Sequence, residues 1–189
     1  MPRTIHGVSG YRLVVPADWY GVELEPARRE PSVAALIGKQ FAGTDNAPHL
    51  KAQAKRELLA RAVATHEAGG IELFLSLQQV SGVPVPASLA TFLLPPDDRR
   101  TIAADRLAQV LTGQEREVTV VDLPAGRSVR VLRSHSRANE PDGAVHQVFV
   151  PVPDGAWWLL LAFATPAGPL VRPLTALFDA ICATLRWDL

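Results

Sequence analysis

At 189 residues the chain has the length of one domain, and a globule of that size removes about 70% of its unfolded surface from water without staples. Its 19 basic and 19 acidic side chains cancel, which excludes the overall field that draws basic proteins onto nucleic acid or anionic membranes. The apolar fraction of 48% is ordinary for a packed fold, and the lone cysteine, Cys182, excludes an internal disulfide.

The opening residues, MPRTIHGVSGYRLVV, hold neither an apolar run of signal-peptide length nor a lipid-attachment cysteine. With a single thiol in the chain, a cytoplasmic location is expected. One domain over 1–189, with its compact core over about 11–187, is the expected organisation.

The segment YRLVVPADWYGVEL (11–24) reads as two short strands joined by a tight Pro-Ala-Asp turn. EPSVAALIGKQF (30–41) suggests a short helix. PHLKAQAKRELLARAVATHEAGG (48–70) predicts a long one, with Leu50, Ala54, Leu58 and Ala62 at four-residue intervals. Glu57 and Arg61 stand one turn apart as a pair, and Gly69-Gly70 ends the helix. IELFLSLQQV (71–80) alternates as a strand, placing Ile71, Leu73, Leu75 and Leu77 on one face. SLATFLLP (88–95) adds another strand.

DDRRTIAADRLAQVLTG (97–113) predicts a helix capped by Asp97 or Asp98, with Ala103, Leu107, Val110 and Leu111 as its stripe. REVTVVDLPAGRSVRVLRSH (116–135) folds as a hairpin at Pro124-Ala125-Gly126. Two polar stretches, AGTDNAP (42–48) and SHSRANEPDGA (134–144), read as the least ordered loops.

VHQVFVPVPDGAWWLLLAFATP (145–166) is the most hydrophobic stretch. Its uninterrupted apolar run, Ala156 to Ala164, falls far short of the roughly 20 residues a spanning helix needs. Turn chemistry at Pro153-Asp154-Gly155 makes it a hairpin whose second strand is apolar on both faces, as in the middle of a covered sheet. LTALFDAICATLRW (174–187) then closes the chain as a helix, with Leu174, Leu177, Phe178, Ile181, Cys182 and Leu185 on one face. Helices set between antiparallel strands point to an α+β sandwich.

The opening hairpin 11–24, the long helix before IELFLSLQQV, the late hairpin 145–166 and the closing helix together resemble the PsbP-like superfamily. That resemblance implies a twisted, mostly antiparallel sheet of about six to eight strands with helices packed on both faces, an α/β/α sandwich. It also implies an accessory or binding protein, and it carries no catalytic residues common to the family.

Chemical motifs are sparse. His66-Glu67 begins a zinc-protease pattern, but its second histidine would fall at Gly70. GVSGY is not a nucleophile elbow, and LIGKQFAG lacks the spacing of a phosphate-binding loop. The histidines (His6, His49, His66, His135 and His146) do not cluster with metal-ligand spacing. His135 and His146 flank one loop and are expected as a solvent-exposed cross-strand pair. Cys182 reads as a small buried hydrophobe. No catalytic residue, cofactor or metal site is expected.

Two groups remain as candidate binding residues. Adjacent Trp157 and Trp158 must point to opposite faces of a strand, either both into core layers or one lining a groove. Arg127, Arg130, Arg133, His135 and Arg137 lie in a stretch without acidic residues from Leu123 through Asn139. On a strand, Arg127 and Arg133 share one face and Arg130 takes the other. They either dock an acidic partner through bidentate contacts or form a solvated rim balanced by Glu115, Glu117, Glu140 and Asp142. The absence of interleaved aromatics argues against single-stranded nucleic acid.

The functional expectation is therefore a non-catalytic cytoplasmic accessory protein that binds another protein as a monomer or small homo-oligomer, without nucleic acid or membrane insertion. The alternatives are a small apolar ligand held between sheet and helices, with Trp157 or Trp158 as a wall, and an enzyme of unrecognised type.

Overall fold

The computed structural model describes residues 10–43, 48–81, 83–95, 102–113, 116–137, 140–153, 157–166 and 168–188, with 134–137 and 140–142 described by backbone alone. The fold is α+β. Seven antiparallel strands form the main sheet in the order β2-β3-β6-β10-β9-β8-β7, which are Trp19–Val22, Gly70–Ser76, Ser88–Leu94, Trp158–Thr165, Glu140–Pro151, Gly126–Arg137 and Glu117–Leu123. Two compact units divide the chain: Ala17–Thr91, and Met1–Pro16 with Phe92–Leu189.

In the first unit, helix α1 (Pro26–Gln40) begins with proline in its first turn, where no intrahelical N–H is needed. Its buried residues Ser32, Val33, Leu36 and Ile37 recur at helical spacing. Val33, Leu36 and Ile37 meet Val22 and Leu24 and, from β3, Leu73 and Leu75 in one core cluster. Helix α2 (Pro48–Glu67) adds Ala62 to that cluster, with Ala54, Leu58 and Leu59 at its margin. Leu50 departs from the expected stripe and is 59% exposed, because it sits in the first turn, before the helix reaches the core at Ala54. The expected Glu57–Arg61 pair is also absent. Gln53 donates to Glu57, while Arg61, beside the buried Ala62, donates to the hydroxyl of Ser88. Strand β3 follows the expected alternation, and a small ribbon of β4 (Gln79–Val80) and β5 (Val83–Pro84) follows it.

In the second unit, β7 and β8 form the hairpin expected at Pro124-Ala125, and β9 pairs with β10 as the sequence indicates, with 154–156 of the expected turn outside the described residues. Strand β10 carries the pattern of an interior ribbon. Leu159, Leu161, Phe163 and Thr165 are fully buried on one face, and Trp158 is buried on the other. Helix α4 (Val171–Ala183) packs against β9 and β10, bringing Phe178 onto Phe163. On the opposite face, Val129, Val131, Phe149 and Trp158 gather under helix α3 (Ala104–Leu111), with its Ala104, Leu107 and Leu111. Helices thus cover both faces of this part of the sheet.

Four local expectations need correction. The stretch 11–24 is not a hairpin: β1 (Gly10–Arg12) pairs with β11 (Arg186–Asp188), and β2 pairs with β3. The closing helix stops at Ala183, so Trp187 lies in β11 rather than on a helix, since the edge of β1 offers its backbone a ladder. Helix α3 starts only at Ala104 with no side-chain cap, and Asp97 and Asp98 lie outside the described residues. Its Val110, expected in the stripe, is 63% exposed. Finally, much of 134–144 is strand rather than loop, because β8 and β9 extend their ladder through a register shift between His135 and Arg137. Most of the other expected loop, 44–47, lies outside the described residues.

Candidate functional site

The polar centre of the second unit is built by alternation. Side chains of His146 and Val148 on β9 fall on the same face as Arg130 and Leu132 on β8 and Phe163 on β10, because paired residues of an antiparallel ladder share a face. Helix α4 covers that face and contributes Phe178, Asp179 and Cys182.

Arg130 is the hub. Its Nη1 donates to Asp179 Oδ2 at 3.0 Å, its Nε donates to Thr119 Oγ1 at 3.2 Å, and its Nη2 lies 3.8 Å from Glu117 Oε1. His146 is 1% exposed, held edge-on by Phe163 at 5.8 Å and Phe178 at 5.9 Å. Its Nε2 is 3.4 Å from Asp179 Oδ1, near enough for charge attraction. Neither ring nitrogen makes a hydrogen bond to a described group. Burial pushes the imidazole below its ordinary range; Asp179 opposes that shift and Arg130 adds to it. Cys182, one turn beyond Asp179, has its thiol pushed up to about 12 by burial and by the same carboxylate, which makes it a packed hydrophobe rather than a nucleophile.

The structure separates the candidate arginines. Arg127 donates to Asp105 at 3.0 Å and lies 3.8 Å from Asp122, all three exposed. Arg130 turns inward to the cluster above. Arg133 is exposed on the face opposite Arg130, and no described carboxylate pairs with it. Arg137 pairs with Glu140 in the backbone ladder; its side chain and that of His135 lie outside the described residues. The expected exposed pair of His135 and His146 does not form. His135 stands opposite Gly143, whereas His146 stands opposite Leu132 and points into the core. Sequence reasoning missed His146 as a site residue. The available signal was its parity with Val148 and Val150 and its position opposite Phe163 in the late hairpin.

The tryptophans split as their adjacency requires. Trp158 is in the core under α3, and Trp157 packs around Val152 with Tyr11, Leu93 and Trp187. Neither lines the described cleft, which lies in the first unit along β2 and β3. That cleft holds about 230 Å³ and is lined by residues 21–24 and 71–74, including Glu23, Glu72 and Phe74. It is therefore partly acidic, unlike the apolar pocket expected between sheet and helices. Among the described residues no group of three His, Cys, Asp or Glu is placed to hold a metal ion, and no helix is long and apolar enough to cross a membrane.

Neither a protein-family model nor a curated protein matches the chain. Among solved structures it is similar to the crystal structure of LpqN, described as involved in cell envelope biogenesis of Mycobacterium tuberculosis. The two are 14% identical with a TM-score of 0.52, and the match covers 95% of this chain and 84% of that one. At such identity the likeness shows a shared fold.

Proposed function

We propose that the chain is a non-catalytic accessory protein that acts by binding another protein, in keeping with the PsbP-like resemblance of its element order. The observation that carries this reading is the use made of its titratable cluster. Glu117, Arg130, His146, Asp179 and Cys182 are engaged with one another and with core packing, holding α4 to the sheet. The likeness to LpqN, described as involved in cell envelope biogenesis, is one of fold and is compatible with this reading. Arg133, exposed beside α3's face of the sheet, suits an acidic partner. A reducing cytoplasm belongs to the same proposal, since the single cysteine is buried and free.

Affinity capture of the full chain at native abundance tests this, followed by the same capture with Arg133→Glu. A specific acidic protein recovered with the parent chain and depleted with the variant supports the reading. Recovery of nothing above a control chain counts against it. Cell fractionation decides the compartment.

The cleft along β2 and β3 favours a second reading, a small-molecule site. Its partly acidic lining suits a cationic rather than an apolar ligand. Native mass spectrometry of freshly isolated protein would show a retained ligand as added mass.

A further inference from the structure

His146 is an ionisable side chain placed where burial penalises its charged form. It is closed in by Phe163 from β10 and by Phe178 from α4, rings that stack on each other at 4.6 Å and 19°. Every described charge that faces it belongs to one network. Asp179 approaches from α4, with Cys182 one turn on; Arg130 comes from β8, with Glu117 of β7 behind it. Strand β10 and the 3₁₀ turn Gly168–Leu170 present no titratable group.

Neutral imidazole leaves Asp179 to Arg130, whose 3.0 Å bond fastens α4 to β8. An added proton places a second cation against the same carboxylate, beside Arg130 and inside an apolar enclosure. Its Nε2 faces Asp179 Oδ1 at 3.4 Å while Arg130 holds the other oxygen, Oδ2, so that attraction offsets only part of the cost of burying a second cation beside Arg130. We propose that His146 is a proton-operated latch: neutral, it lets α4 lie closed on the sheet, and protonated, it releases α4 to expose Leu159, Leu161 and Phe163. The direction of its titration agrees, because burial holds the imidazole below its ordinary range.

The closed form binds the proton more weakly than the open one, so it is fully favoured above the ordinary histidine value of about 6.5 and loses ground as pH falls below it. One coupled proton changes the closed-to-open ratio by up to about tenfold per pH unit.

Amide hydrogen exchange across α4 of the full chain, corrected for intrinsic rates and taken from about pH 7 to about pH 5, tests the proposal. Protection of residues 171–183 should fall in that window for the parent chain and stay level for His146→Gln. Equal losses in both proteins, or no loss in the parent, would overturn it. Should His146→Gln fail to fold, the imidazole resonance of His146 in the parent chain is followed by NMR. A shift midpoint below that of the unfolded chain, accompanied by loss of α4 protection, upholds the latch. An ordinary midpoint with α4 still protected removes it.

Discussion

The indole of Trp187 donates from Nε1 to the carbonyl of Ala125 at 2.9 Å, joining β11 to the turn between β7 and β8 across a wide sequence separation. The same ring meets Tyr11 edge-on at 6.1 Å and packs against Val152. Trp187→Phe retains the apolar ring and deletes the donor, so it should lower stability by about 1 kcal/mol. Trp187→Ala also removes half-buried packing and should cost about 2 kcal/mol. Urea unfolding midpoints measure both. An unshifted midpoint for Trp187→Phe would mean that solvent replaces the bond without loss.

Two adjacent glycines end α2 for different reasons. Gly69 has a positive φ of 80° and open space around it, so Gly69→Ala should cost about 1 kcal/mol through backbone strain alone. A Cβ on Gly70 would come 2.6 Å from the carbonyl oxygen of Thr65, a backbone atom that cannot swing away. Gly70→Ala should therefore cost more, about 2–3 kcal/mol. Thermal unfolding of the two variants checks the order, and the reverse order would contradict the geometry.

The bond between Arg130 and Asp179 is only partly screened, their side chains being 25% and 41% exposed. A double-mutant cycle with Arg130→Met and Asp179→Leu should return a coupling of about 1 kcal/mol, smaller in high salt. A coupling that ignores salt would show that packing, not charge, joins the two residues.

With its thiol at about 12, Cys182 holds roughly one part in ten thousand of thiolate at about pH 8. It should resist a thiol-specific reagent in the folded protein and react at once in denaturant. Fast labelling of the native chain would show that α4 opens far more readily at neutral pH than its packing implies.

Residues 145–166 were legible because both signals were local: turn chemistry at Pro153-Asp154-Gly155, and an apolar run too short for a membrane span. Helix α2 was legible through its spacing, whereas α1, expected as a short helix over 30–41, begins earlier, at Pro26. The pairing of β1 with β11 was not, since three-residue strands carry no periodicity and their partners lie at opposite ends of the chain. For the same reason 11–24 mimicked a hairpin. His146 escaped because Val145, Val148, Phe149 and Val150 make both faces of β9 apolar, so alternation alone does not say which face α4 covers. The exposed turn of Leu50 shows the converse limit: a helical stripe marks a face, but not how far along it the core extends.

The register of β1 against β11 sets Gly10 opposite Asp188 and Arg12 opposite Arg186, so the two strands enter and leave from one end of their ladder. Tension applied between residues 10 and 188 would meet these hydrogen bonds in series, opening them one after another like a zip instead of shearing them together. The first mechanical yield of the folded chain is therefore a weak one, and it frees Tyr11 and Trp187 from each other before the seven-stranded sheet bears any load.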